Sequence, residues 1–335
     1  MNTNDHLEEV FDLMIQTKMT EILGIQHPIM QGGMQHLGTP ELAAAVSNAG
    51  GLGTINVTIY PELEDFRTAV RRLKSMTSNP FAVNVSIPPD VNPGDKTGDY
   101  LRICAEEGVG IIELAGGNPS LFAPIIKDYG MKLIIKMAAL KHAKKAQSVG
   151  ADLVTIVGYE VAGHPGMGEL SSFVLADKVS HELDIPVLLG GGVADGYGLA
   201  GALNLGCAGV VMGTRFVAST EAVISNAHKQ WIVDHNEGDT ITCQRSIRNM
   251  VRVANTASAQ ACLEMERHGA TLQELMAVIS GRNSKEAYQS GDVEKGLFPV
   301  GQTIGLIHDV KPCKEIIDEI MAQAEAQIAR VSALV

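Results

Sequence analysis

Apolar positions along the chain follow two alternating rhythms. Short runs rich in Val, Ile and Leu occur at 28–31, 52–57, 81–87, 110–115, 132–137, 153–158, 186–190 and 209–212. They have the length and β-branched content of strands buried on both faces. Longer stretches with helical spacing separate them, at 40–48, 61–76, 99–107, 119–129, 140–149, 171–183 and 196–205. The helix boundaries carry their own signals. Thr39 before Pro40 reads as an N-cap followed by proline in the first turn. Gly50, Gly108, Gly130, Gly150 and Gly206 stand where C-cap glycines are expected. Eight strand–helix repeats between residues 28 and 212 predict a TIM (β/α)8 barrel rather than a doubly wound sheet, which usually has fewer strands.

The rhythm changes after the eighth repeat. From 221 to 291 strand-like runs give way to a helical reading, at 225–235, 257–268 and 271–281, with an arginine-bearing stretch at 245–256. This segment is expected to be a helical insertion or lid. The barrel then comprises 19–220 and 292–335, with GLFPVGQTIGLIHDV (296–310) and a terminal helix at 314–333 packing back onto it. Phe11, Met14 and Ile15 suggest a short amphipathic helix ahead of the barrel.

Composition narrows the class. With 45% hydrophobic and 19% charged residues the chain is too apolar for disorder, and its 35 glycines have no collagen period. A net charge of −12 disfavours a general nucleic-acid binder. Five widely spaced cysteines without a C-x-x-C pattern form neither a disulfide framework nor a zinc site, and read as buried thiols of a cytoplasmic protein. No apolar run reaches the ~18–20 residues of a membrane span, and the acidic N-terminus lacks the pattern of a signal peptide. The expected partner is a small molecule, with neither metal, nucleic acid nor membrane; a homodimer stays open.

In a TIM barrel the chemistry lies at the C-terminal ends of the strands. The first strand ends in Gly32-Gly33-Met34-Gln35, which fits both a tight turn and close backbone approach to a ligand. The seventh ends in Gly190-Gly191-Gly192 and the eighth is followed by Gly213-Thr214. Paired glycine turns after strands seven and eight form a phosphate site from backbone N–H groups, to which Thr214 adds a hydroxyl. Neither a Rossmann fingerprint nor a Walker A loop is present, so a cofactor with one phosphate, FMN, suits the barrel. His164 lies in the loop Ala162-Gly163-His164-Pro165-Gly166 after strand six, where an imidazole suits proton transfer. His36, after strand one, is the other histidine that could line the site. Lys136 interrupts an apolar run in strand five. It either supports the negative charge of a reduced flavin or pairs with Glu113, and the two roles are compatible. Asn84 and Ser86, in strand three, could hydrogen-bond a flavin ring.

Together, HPIMQGGM (27–34), ELAAAVSNAGGLGTI (41–55), FAVNVS (81–86), AGHPG (162–166), GGGVADG (190–196) and MGTRF (212–216) resemble the nitronate monooxygenase, or 2-nitropropane dioxygenase, family of FMN-dependent barrels. That family also includes a flavin-dependent enoyl-ACP reductase. RSIRNMVRVANT (245–256) and YQSGDVEKGLFPVGQ (288–302) look like its NADH:quinone reductase subgroup. The resemblance implies FMN contacts from Gly33, Met34, Gln35, Ser86, Lys136, Ala162 and Gly163. It implies a phosphate held by Gly190, Gly191, Gly192, Gly213 and Thr214, and His164 near flavin N5 and the substrate. The chain departs from its relatives in having Val157-Gly158 at the end of strand six and Gly190 before the glycine pair. The implied reaction is oxidation of alkyl nitronates by O₂ to carbonyl and nitrite. The alternatives are NAD(P)H:quinone oxidoreduction and enoyl-thioester reduction, with NADH or NADPH as co-substrate. A passive FMN holder would not need His164 and Lys136.

Overall fold

The computed structural model describes residues 15–88 and 94–334. Of the expected N-terminal amphipathic helix, Phe11 and Met14 lie outside the described residues. The described chain opens with α1 (Lys18–Leu23), then β1 (Ile29–Gln31) and α2 (Pro40–Asn48). The repeats continue as β2 (Gly53–Asn56), α3 (Leu63–Met76), β3 (Phe81–Ile87), α4 (Thr97–Glu106), β4 (Ile111–Gly116) and α5 (Ala123–Asp128). They end with β5 (Lys132–Met137), α6 (Leu140–Ser148), β6 (Leu153–Val157), α7 (Ser172–Ser180), β7 (Val187–Gly190), α8 (Gly196–Asn204) and β8 (Gly209–Met212). All eight strands are parallel neighbours in the order β1-β8-β7-β6-β5-β4-β3-β2, the TIM-barrel topology.

The five C-cap glycines adopt positive φ as expected. Thr39 occupies the N-cap position of α2, but its side chain makes no capping bond and its buried hydroxyl has no partner. The expected helix at 119–129 divides into a 3₁₀ turn, Pro119–Leu121, and α5.

Between β1 and β2 the ladder shrinks to a bridge at Met30 and Leu52. There the side chain of buried Gln31 takes the place of a strand. Its Oε1 accepts from the Thr54 N–H at 2.8 Å, and its Nε2 donates to the Gly32 carbonyl. A polar side chain inside the wall thus supplies the acceptor that the backbone geometry of the seam does not.

The barrel interior is layered by the two-residue period of a strand. Met30, Leu52, Ala82, Ile111, Ile134, Leu153, Leu188 and Val211 fill the lower layer, one from each wall position, and Met19, Leu23 and Ile25 plug it from below. A second, larger core lies between the strands and the outer helices. Two residues further along each strand the inward positions become Gly32, Thr54, Asn84, Glu113, Lys136, Thr155, Gly190 and Gly213. The apolar fill therefore stops halfway up. Above it one side of the barrel is lined by glycine and the other by polar groups.

After β8 come α9 (Thr214–Val217) and α10 (Asn226–Asp234). The purely helical reading of 221–291 is then corrected by a hairpin. β9 (Thr240–Cys243) and β10 (Val251–Ala254) pair antiparallel, from Val251 with Cys243 to Ala254 with Thr240. Their Thr-Ile-Thr and Val-Arg-Val sequences have strand-like β-branched content. The helices α11 (Ala257–Arg267), α12 (Leu272–Ile279) and α13 (Gly281–Ser290) follow. Cys243, Val251, Val253, Cys262, Leu275 and Leu297 form a small core of their own around this hairpin. The final helix, α14 (Cys313–Ser332), packs against α8 and α2. All five cysteines are buried free thiols. Among the described residues no helix is long and apolar enough to cross a membrane.

Replacing Gln31 with Met keeps much of its volume but leaves the buried Thr54 amide without an acceptor. The expected loss is about 1–3 kcal/mol of unfolding free energy, read from urea denaturation. An unchanged midpoint would refute the seam role.

Candidate active site

Parallel strands deliver every sequence-predicted residue to the same end of the barrel, and contacts between the loops draw several together. A methyl group at Gly33 would lie 2.3 Å from Asn84 Cγ, so the β1 loop rests directly on β3. A methyl group at Gly213 would lie 3.5 Å from the Met34 sulfur, so the β1 and β8 ends meet there. Gly191 lies against the backbone of Val161, and Gly192 faces Ser172 at the start of α7. Gln35 and Ser86 are exposed at the rim. Gln35 and His36 face Gly281 at the start of α13, and burial lowers the pKa of His36, with the Lys285 charge acting the same way.

The turns after β7 and β8 carry the glycines and the threonine singled out for a phosphate. Gly191 and Gly192 have φ of 87° and 73°, a region that favours glycine, and neither N–H finds a backbone acceptor among the described residues. Gly190 approaches Val157 so closely that a methyl there would stand 2.9 Å from its Cγ1. Thr214 is buried, and its Oγ1 already accepts from the Gly301 N–H at 3.0 Å, leaving its hydroxyl proton to donate.

Opposite the glycines runs a lateral polar row. Asn56 Nδ2 donates to Asn84 Oδ1 at 2.8 Å, and Asn84 Nδ2 donates to Glu113 Oε2 at 2.5 Å. The Lys136 ammonium stands 4.0 Å from that same oxygen. Lys136 and Glu113 are therefore a pair, as one of the two sequence readings required. The Glu113 Oε1, Thr155 Oγ1 and Thr54 Oγ1 atoms are buried without partners. Asn84 is committed within the row, so of the two β3 candidates Ser86 is the one facing the open mouth.

His164 sits at the rim, exposed on one side but crowded by protein on the others. That surrounding protein lowers its pKa, and the Lys136 charge adds to the effect. Its loop is fixed by the hairpin. Gly163 N–H donates to Arg252 O at 3.0 Å, and Arg252 N–H donates to Gly163 O at 2.6 Å. The Arg252 side chain strengthens that junction. Its Nε donates to Tyr159 O at 3.1 Å, and its guanidinium lies 4.5 Å from the Tyr159 ring centroid. Arg245 joins the same wall through an ion pair with Glu169 and a 3.2 Å bond to the Tyr159 hydroxyl. Glu160 holds the start of α7 by accepting from the N–H and hydroxyl of Ser172 at 2.9 and 2.8 Å. Ala162 is hemmed by Gly301, whose neighbour Gln302 donates to Glu160 O at 3.0 Å.

Three residues here escaped sequence reasoning: Gln31, Asn56 and Glu160 had no distinguishing pattern. Arg252 belongs to the arginine-bearing stretch 245–256 that the sequence singles out, but its tie to the His164 loop has no sequence signal. His228 packs edge-on against Tyr288 and Phe298, and burial pushes its pKa down to about 4. Among the described residues no cluster of His, Cys, Asp and Glu could hold a metal ion.

The mouth fits a flat, singly phosphorylated cofactor on its own chemistry. Three adjacent strands contribute glycine where side chains would fill the space, free amides stand at the β7 turn, and unpartnered oxygens lie opposite beside an ammonium group. FMN has the matching parts.

The family model for nitronate monooxygenase matches residues 16–323. A (3aS,4S,5R,7aS)-5-hydroxy-7a-methyl-1-oxo-octahydro-1H-indene-4-carboxyl-CoA dehydrogenase of Rhodococcus jostii (strain RHA1) is 30% identical, the match covering 96% of this chain and 99% of that protein. A nitronate monooxygenase of Paraburkholderia phytofirmans is 27% identical over 92% of this chain and 95% of its own. Among solved structures, FabK from Thermotoga maritima superimposes with a TM-score of 0.89 at 37% identity, covering 96% of this chain and all of that one. On the match across residues 16–323, the chain belongs to the nitronate monooxygenase family and is an FMN-dependent oxidoreductase.

Proposed function

We propose that the chain reduces the carbon–carbon double bond of an α,β-unsaturated acyl thioester, using electrons from NADH or NADPH. The observation that carries this reading is the likeness to FabK, an enoyl-ACP reductase, at 37% identity over 96% of this chain, beside 30% identity to a dehydrogenase named for a carboxyl-CoA thioester. The surface beside His164 agrees with it. Met167, Leu170, Phe173 and Val174 are exposed between β6 and the first turn of α7. Apolar side chains grouped at a mouth suit a long acyl or pantetheine chain better than a small nitronate.

In this reading Gly33, Met34, Gln35, Ser86, Lys136, Ala162 and Gly163 hold the flavin ring and ribityl chain. Gly190, Gly191, Gly192, Gly213 and Thr214 hold its phosphate. FMN, when bound, supplies two-electron transfer between nicotinamide and substrate. The chain's own residues do the rest. Backbone N–H groups at the β7 and β8 turns neutralise the phosphate without a basic patch, consistent with the net charge of −12. His164, neutral at pH 7 because its pKa is lowered, donates a ring N–H to the thioester carbonyl as negative charge builds there. The nucleotide is oxidised by loss of a hydride equivalent and solvent supplies one proton, so the product gains hydrogen at both carbons of the double bond. The barrel, 19–220 with 292–335, carries the cofactor, and the 221–291 insertion supports the His164 loop from one side through Arg252. Nitronate oxidation is the second reading, supported by the family match.

Anaerobic stopped-flow separates the readings. NADH or NADPH should bleach the flavin, and crotonyl-CoA, used as the probe, should restore its colour. Flavin that neither nucleotide bleaches would sink the reductase reading, and turnover of propionate 3-nitronate with O₂ in its place would establish the second. Restoration by a quinone but not by the thioester would favour quinone reduction. His164→Ala should retain FMN and lose at least ~10-fold in kcat/KM for the thioester; an unchanged value would refute its role.

The smaller contribution of Lys136, beside that of burial, to the lowered His164 pKa has a separate test. Lys136→Met removes the charge that helps to lower the His164 pKa, so that pKa should rise towards the ordinary histidine value. NMR titration of the ring Cε1 proton reads the shift directly. A pKa that stays put or falls would show that Lys136 does not act on His164.

A further inference from the structure

We propose that Glu113 is a positioning residue. It sets how much of the Lys136 charge reaches the cofactor at the mouth, and thereby sets the cofactor's reduction potential. The inference rests on the reading of the mouth as an FMN site, not on the identity of the substrate.

Glu113 is fully buried, with 0% of its side chain exposed. It receives one side-chain hydrogen bond, from Asn84, and its second oxygen has no partner. A carboxylate so placed is short of the hydrogen bonds that normally compensate burial. The one cation within 4.0 Å of it among the described residues is Lys136. At that distance the ammonium is held by charge rather than by a hydrogen bond, so its N–H donors stay free to face the mouth. Lys136 is 27% exposed and pairs in register with Ala115, two residues beyond Glu113 on the same strand, so it stands above the acid. A cofactor at the mouth therefore faces a lysine whose charge is countered from below.

The acid has little freedom to leave. Asn84 is oriented by Asn56 on one side, and the Gly33 backbone presses on it from above. The row from β2 to β5 fixes the carboxylate beneath the lysine. Removing its negative charge without changing its shape should expose the cofactor to an uncountered ammonium. Reduction adds electrons to the cofactor, so the reduced form gains relative to the oxidised form and the potential rises.

The test compares holoenzymes of wild type, Glu113→Gln, Lys136→Met and the double variant by anaerobic dye equilibration. Glu113→Gln should shift the reduced-to-oxidised equilibrium about tenfold towards reduced flavin, about 30 mV for a two-electron couple. Lys136→Met should shift it the other way. In the Lys136→Met background, Glu113→Gln should produce a smaller rise: the acid's own field is lost in both backgrounds, but only with Lys136 present is an ammonium also released from the carboxylate beneath it. Bound FMN with an unchanged potential in Glu113→Gln overturns the proposal, and so does an equal rise in both backgrounds. Should Glu113→Gln not retain FMN, Glu113→Asp carries the test. The shorter acid draws away from Lys136 and should give a smaller rise, and no rise overturns the proposal. Wild-type protein that takes up no FMN overturns the site assignment itself, an outcome distinct from FMN uptake with unaltered potentials.

Discussion

The constraint on which the structure depends is the two-residue period of strands closed into a ring. Once Met30, Leu52, Ala82, Ile111 and their counterparts point inward at one level, the residues two further on must point inward at the next. The lower level is apolar and sealed by α1. The upper level cannot be filled in the same way, because three neighbouring strands place Gly32, Gly190 and Gly213 there. Apolar fill below and absent side chains above make a floor and a hollow from a single repeat. The remaining inward positions inherit a boundary between packed protein and an open mouth, where polar groups can be buried but not abandoned.

That boundary explains the electrostatics. Asn56, Asn84, Glu113 and Lys136 come from four consecutive strands, and each partner restrains the next. An isolated lysine or glutamate at this depth would be costly; together they halve the problem without satisfying every atom, since Glu113 Oε1 and Thr155 Oγ1 stay unpaired. Orphaned polar atoms in a native interior mark places where something else completes the bonding. Here they line the hollow opposite the free amides of the β7 turn. In the proposed assignment the charged groups stand on the ring side of the cofactor, and backbone dipoles would meet its phosphate. This division leaves an acidic protein able to bind an anion.

Much of this was legible in the sequence because barrel strands and helix ends are written locally. Val/Ile runs gave all eight strands to within a residue or two, and C-cap glycines marked the helix stops that positive φ then required. Strand ends one, three, five, six, seven and eight were singled out for the same reason. What was not legible is what depends on partners distant in sequence. Gln31 closes the seam only because Thr54 lies opposite it. Asn56 looks like a turn residue until Asn84 is beside it. The hairpin was missed because each of its strands has four residues, and the seven-residue loop between them, with Arg248 in a left-handed conformation, hides the two-residue alternation.

The missed hairpin matters because it decides how the insertion meets the chemistry. His164 lies on a loop, and a loop by itself holds a side chain poorly. Two backbone hydrogen bonds between Gly163 and Arg252 pin that loop to the β9–β10 ribbon by an antiparallel bridge, one residue away from the imidazole. The guanidinium then reaches back to the Tyr159 carbonyl and ring, on the other flank of the same loop. Burying an arginine without a carboxylate partner is costly, and its Nη2 remains unpaired. That cost is offset only if the junction stays closed, so any opening of the insertion away from the barrel must carry the His164 loop with it or break these bonds together. The insertion is therefore a structural part of the wall beside His164, tied to that loop most directly by Arg252 and again by Arg245 through Glu169 and Tyr159.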